Sequence, residues 1–75
     1  MEQLIKLISI SPDIRFGKPC IVGTRIAVSD ILGWMASGMT QEEILGDYPF
    51  LTSEHLQAAL YFAANRETLI KYIAA

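Results

Sequence analysis

The side chains best able to do chemistry are few, and they lie far apart along the chain. There is one histidine, His55, and one cysteine, Cys20. A metal centre needs three or four converging ligands. Cys20 and His55 together would supply two of them, so no metal is expected. Cys20 stands between Pro19 and Ile21 and reads as a small buried hydrophobe. His55 falls at the third position of a predicted helix and reads as a helix-start residue. The carboxylates Glu42, Glu43 and Asp47 surround another predicted helix, where acids near the start favour the helix dipole. Gly17-Lys18-Pro19 and Gly23-Thr24-Arg25 are similar to pieces of phosphate loops. Neither has the full glycine-rich run leading from strand to helix. The expectation is a protein with no catalytic residues, cofactor or metal, whose work is binding.

The groups that could bind an anion are Arg15, Lys18 and Arg25, all in the first third of the chain. As DNA contacts they would be joined by Gln57, and by Asn65, on the third predicted helix, since amide side chains read base edges. Glu54 on the same helix would oppose phosphates. Arg25 has a second reading, in which its guanidinium clamps a helix end or the nearby Asp30. On these residues alone, a three-helix bundle with no DNA role weighs the same as a DNA binder. If DNA is the ligand, Arg15, Lys18 and Arg25 should form a basic patch repeated across a two-fold axis.

The elements that must position these groups change character near Ile26. Leu4 to Ile10 is short and rich in β-branched residues, and is expected to be a strand. Ser11-Pro12-Asp13 breaks it. Ile14 to Phe16 reads as extended, Phe16 to Pro19 as a turn, and Cys20 to Val22 as a strand. Gly17, Pro19, Gly23 and Thr24 shape the turns of this hairpin unit. The first helix is expected from Ser29 to Ser37, with Val28, Ile31, Leu32 and Met35 on one face and Gly38 just past its end. Thr40 and Glu43 have capping-box spacing, flanked by Met39 and Ile44 as a staple, and start the second helix. Asp47 and Pro49 mark its end. Thr52 caps the third helix with Leu51 and Leu56 as staple. His55 stands where a capping box would have Glu or Gln, so that box reads as incomplete. The third helix is expected to reach Arg66, or Ile73 with a bend.

The fold class is therefore mostly α, with a small N-terminal β-hairpin and a three-helix, helix-turn-helix-like core. The 75 residues form a single domain, 1–75, with a hairpin unit over 1–28 and a helical part over 29–75. Apolar residues make up 52% of the chain and charged residues only 19%, against about 25% charged in typical chains. So small a domain has trouble hiding that much apolar surface, and a homodimer is expected. Leu4, Ile5, Leu69, Ile70 and Ile73 are the candidate dimer or partner contacts. The net charge of −2 lacks the basic excess of a general DNA binder. No apolar run approaches the roughly 20 residues of a spanning helix, and the start does not read as a signal peptide. No membrane association is expected, and the location is expected to be cytoplasmic.

The run from Ser11 to Ile26, with its Gly17-Lys18-Pro19 and Gly23-Thr24-Arg25 elements, resembles the domain-of-unknown-function 433 family. The resemblance continues through Ile31-Leu32, Gly38-Met39-Thr40, Glu42 to Leu45, Asp47-Tyr48-Pro49, Leu51-Thr52 and Ala58 to Ala63. It covers about Leu7 to Asn65. It implies a homodimeric antitoxin of a type II toxin–antitoxin pair with a homeodomain-like core. The partner it implies is a PIN-like ribonuclease toxin, with autoregulation by binding operator DNA. The alternative is an interaction or structural dimer that does not bind DNA.

Overall fold

The computed structural model describes residues 2–74. Five helices and one two-stranded antiparallel ladder follow one another along the chain. They are α1 (Glu2–Ile5), β1 (Ile8–Ser9), β2 (Cys20–Ile21), α2 (Val28–Ala36), α3 (Gln41–Asp47), α4 (Ser53–Ala64) and α5 (Arg66–Ala74). The mostly helical class with a small N-terminal hairpin is the architecture observed.

The core is built on α4. Leu56, Ala58, Ala59 and Phe62 of this helix are buried. They meet Val28 and Ile31 of α2, Ile44 of α3, Ile8 and Ile21 of the ladder, Leu51 and Leu69. Small residues at 58 and 59 let neighbouring elements approach the α4 backbone, and Phe62 fills the centre. α4 packs against α1, α2, α3, α5 and β1. Burying a side chain of this size is worth about 1.5–3 kcal/mol, which is how a 12-residue helix holds so many short elements.

The helix boundaries have local causes. At α3 the Thr40 hydroxyl accepts from the Glu43 N–H at 3.1 Å, and the Glu43 carboxylate accepts from the Thr40 N–H at 2.9 Å. At α4 the corresponding place is taken by an imidazole. His55 Nδ1 accepts from the Thr52 N–H at 2.9 Å, so the box that read as incomplete is closed by histidine. α2 ends in a Schellman arrangement, with Gly38 at φ 103°. The Gly38 N–H donates to Met35 and the Met39 N–H to Trp34. Tyr48 to Thr52 links α3 to α4, with Leu51 buried as its anchor.

Three expectations are corrected. Leu4 to Ile10 is not one strand, because Leu4 and Ile5 lie in α1 and only Ile8 and Ser9 pair, with Ile21 and Cys20. Leu4, Leu7 and Ile8 have helical i, i+3, i+4 spacing, and the Leu7 N–H bonds to the Leu4 carbonyl. That closes a turn where β-branched content suggested a strand. Ile14 to Phe16 is not extended. Arg15 (φ 53°), Phe16 (58°) and Gly17 (84°) form one left-handed turn. The third predicted helix, expected to reach Arg66 or Ile73 with a bend, does bend, at Asn65, whose φ of −123° leaves the helical region, and α5 runs on to Ala74.

The third correction concerns Leu69. Leu69 is buried within the chain, and Leu4, Ile5, Ile70 and Ile73 pack half-buried against the core. The tail is apolar because α5 folds back onto α4 and β1, which gives these five side chains a role inside one subunit.

Candidate functional site

Between β2 and α2 the chain makes a compact loop. The Thr24 N–H donates to the Ile21 carbonyl at 3.0 Å, with Gly23 at φ 77° as the third residue of the turn. Positive φ at that position calls for glycine in a type II turn. The Thr24 hydroxyl donates back to the Ile21 carbonyl at 2.9 Å and accepts from the Ile26 N–H at 3.0 Å. The Val28 N–H bonds to the Pro19 carbonyl at 2.9 Å. Gly23, Thr24 and Pro19 thus shape the junction between hairpin and helix.

The guanidinium expected to clamp Asp30 was that of Arg25. The structure gives the task to Arg15, whose Nη1 donates to Asp30 Oδ2 at 2.9 Å and to the Arg25 carbonyl at 2.8 Å. The left-handed turn swings Arg15 back towards α2, whereas Arg25 is exposed and contributes only its backbone. Asp30 also accepts from the Ala27 N–H at 2.9 Å, which caps α2. Partial burial pushes the Asp30 carboxyl upward. The bonds from Ala27 and Arg15 outweigh it and hold the group below its ordinary 3.8. Burial pushes the Cys20 thiol above its ordinary value, so at neutral pH it is a protonated core side chain. Among the described residues no three His, Cys, Asp or Glu side chains converge.

Beside this junction lies an open cleft of about 1010 Å³. Its apolar lining comes from Ile14, Val22, Ile26, Trp34, Tyr48 and Phe50, and its polar lining from Arg15, Thr24, Arg25, Asp30 and His55. Trp34 of α2 stacks on Tyr48 of the α3–α4 link, with centroids 4.5 Å apart and planes 11° from parallel. Phe50 meets Tyr48 edge-on at 6.3 Å. Such pairs are worth about 0.5–1.5 kcal/mol each beyond burial, and this one ties the link to α2. Phe50 remains 57% exposed and Val22 46% exposed.

Of the four proposed DNA contacts, the cleft brings together Arg15 and Arg25. Lys18 and Gln57 are exposed but do not line it. Gly17 belongs to the left-handed turn, Asp47 ends α3, and Pro49 sits in the α3–α4 link beside the aromatic cluster. Reasoning from sequence missed Trp34, Phe50 and Val22 as surface residues. The available signal was Tyr48-Pro49-Phe50 itself, since aromatic residues in a link between helices have little core to enter.

The fold and cleft define a small, mostly helical protein with a two-stranded hairpin and an aromatic surface groove. The chain belongs to the family described as protein of unknown function (DUF433), whose model matches residues 8–63. A crystal structure of a DUF433 member protein from Anabaena variabilis ATCC 29413 is similar to it, with a TM-score of 0.76 and 35% identity. That match covers 99% of this chain and 74% of the other. The uncharacterized protein y4eO of Sinorhizobium fredii (strain NBRC 101917 / NGR234) is 36% identical over 61 residues, 80% of this chain. The chain spans only 28% of that relative's length. Among the described residues no helix is long and apolar enough to cross a membrane.

Proposed function

We propose that this chain is an antitoxin-like binding protein that works by protein recognition through the aromatic cleft, without catalysis. The observation that carries this reading is the cluster of half-buried Trp34 and Tyr48 with exposed Phe50, which lines the cleft beside exposed Val22. Aromatic side chains are the commonest anchors of protein interfaces, and a chain of this composition has little reason to leave them uncovered. The family resemblance suggests a PIN-like ribonuclease as the partner in a toxin–antitoxin pair. Co-expression with a PIN-like ribonuclease, should the neighbouring gene encode one, tests this. A stable complex that Phe50→Ser weakens is the expected result, and a ribonuclease that never co-purifies would overturn the toxin-binding reading.

A second reading, autoregulation by binding operator DNA, is favoured by the α3–α4 pair. α4 exposes Ser53, Glu54 and Gln57 in its first turns, and Arg25 and Lys18 are exposed on the hairpin. Against it, Arg15 is spent on Asp30, α4 carries no Lys or Arg, and the net charge is −2. A salt-dependent titration on the upstream region decides it. Affinity that falls steeply with salt and drops with Lys18→Ala supports DNA binding, while flat, weak binding removes it.

A further inference from the structure

α3 and α4 open with the same reciprocal box, but the acceptor that reaches back differs. On α3 it is the Glu43 carboxylate, and on α4 it is the His55 imidazole. A carboxylate in water remains a charged acceptor down to about pH 4, whereas a free imidazole gives up its acceptor nitrogen near about pH 6.5. His55 is the one histidine of the chain. Histidine is the only side chain whose ordinary charge change falls between about pH 5 and 8.

The hydrogen bonds define one tautomer. Nδ1 accepts from the Thr52 N–H at 2.9 Å, so the ring proton sits on Nε2. The Thr52 hydroxyl lies 3.3 Å from the same nitrogen and accepts from the His55 N–H at 3.4 Å. In the imidazolium both ring nitrogens are donors. The Nδ1–H and the Thr52 N–H would then face each other across 2.9 Å with no acceptor between them. The cation would also stand at the positive end of the α4 dipole, where cations are disfavoured. The ring cannot keep its place in the box once Nδ1 carries a proton.

The surrounding groups do not reverse this. Arg15, Asp30 and Arg25 line the same cleft as the imidazole. Arg15 and Asp30 pair with each other at 2.9 Å, which leaves Arg25 to repel a second cation. Tyr48 adds a phenol to the lining, a group without charge at neutral pH or below. The carboxylates nearest in sequence, Glu54 on α4 and Asp47 at the end of α3, are exposed to water, where their attraction is weak.

We infer that His55 makes the joint between the α3–α4 link and α4 a proton-sensitive latch, closed while Nδ1 is bare and released when it is protonated. The corresponding joint at α3, closed by Glu43, stays shut over the same range. The link ahead of α4 carries Tyr48 and Phe50, so the latch also governs how firmly two rings of the cleft are held.

Thermal unfolding of the wild type and His55→Gln at about pH 7.5 and about pH 5 tests it. Glutamine completes the box with an acceptor that does not titrate. The gap in melting temperature, variant minus wild type, should widen by about 4–8 °C between the two conditions, the shift that loss of one cap brings in a domain of this size. His55→Ala has no acceptor at either pH, so its gap to His55→Gln should stay constant. Nitrogen NMR of the wild-type ring at neutral pH should find Nε2 protonated and Nδ1 bare. The opposite tautomer would overturn the inference, as would a wild-type gap that does not widen or an alanine gap that does. Neither measurement involves a partner, so failure here leaves the reading of the cleft as a docking surface untouched.

Discussion

The α3–α4 unit and the N-terminal hairpin reach definite shapes by opposite means. α3 and α4 are capped by their own side chains and then held by burial, with Ile44, Leu56, Ala59 and Phe62 at 0% exposure. The hairpin has two strands of two residues each, too little ladder to stand alone. Its form depends on hydrogen bonds to Thr24 and Asp30 and on positive φ at Arg15, Phe16, Gly17 and Gly23. The helical unit supplies most of the buried core and leaves only Phe50 and Leu60 of its large apolar side chains exposed, whereas the short hairpin holds Phe16 fully bare and Val22 about half exposed. The difference teaches that the first region supplies stability and the second supplies display.

That contrast can be broken at the core first. Phe62→Ala should cost about 3–5 kcal/mol in urea unfolding, a large share of the stability of so small a domain, while Phe62→Leu costs less. A loss below about 1 kcal/mol would mean that α4 is not the centre of the fold.

The hairpin should be sensitive through its polar clamp. Asp30→Asn removes a charge-assisted bond and weakens the α2 cap, and should cost about 1–2 kcal/mol at neutral pH. The folded carboxyl sits below 3.8, so its contribution is present above the unfolded value and is lost as pH falls through the lowered folded one. The stability gap between wild type and variant should hold from neutral pH down to about 4 and close below it. A gap that closed as pH rose would contradict the assignment.

Gly23→Ala sharpens the contrast further. A Cβ there meets nothing within 4 Å, so the expected cost of about 1–2 kcal/mol is backbone strain alone. Smallest of all is Phe16→Ser, which should leave the melting temperature of the subunit unchanged, since the ring is fully exposed. If that substitution unfolded the chain, Phe16 would belong to the core and the division into stability and display would fail.

Much of the helical part was legible because its signals are local. Thr40 with Glu43, Thr52 with Leu51 and Leu56, and Gly38 after Met35 act over three to five residues, and the same hydrogen bonds form wherever the chain goes next. The hairpin's glycines were legible for the same reason. Whether Arg15 or Arg25 would hold Asp30 was not legible, because the choice depends on a left-handed turn at Arg15 and Phe16 that neither residue type favours. Nor was the fate of Leu69 and Ile70. An apolar tail looks the same in sequence wherever it packs, and only the break at Asn65, which turns α5 back onto α4 and β1, buries Leu69 in the chain's own core. Trp34, Tyr48 and Phe50 come from two separate segments, so the groove they line exists only once α2 and the α3–α4 link are packed together. By itself the sequence determined the caps, turns and apolar faces, where a few adjacent residues satisfy their own hydrogen bonds. The tertiary structure alone decided which charge is paired and which aromatic rings stay in water, because those outcomes depend on segments brought together from distant parts of the chain.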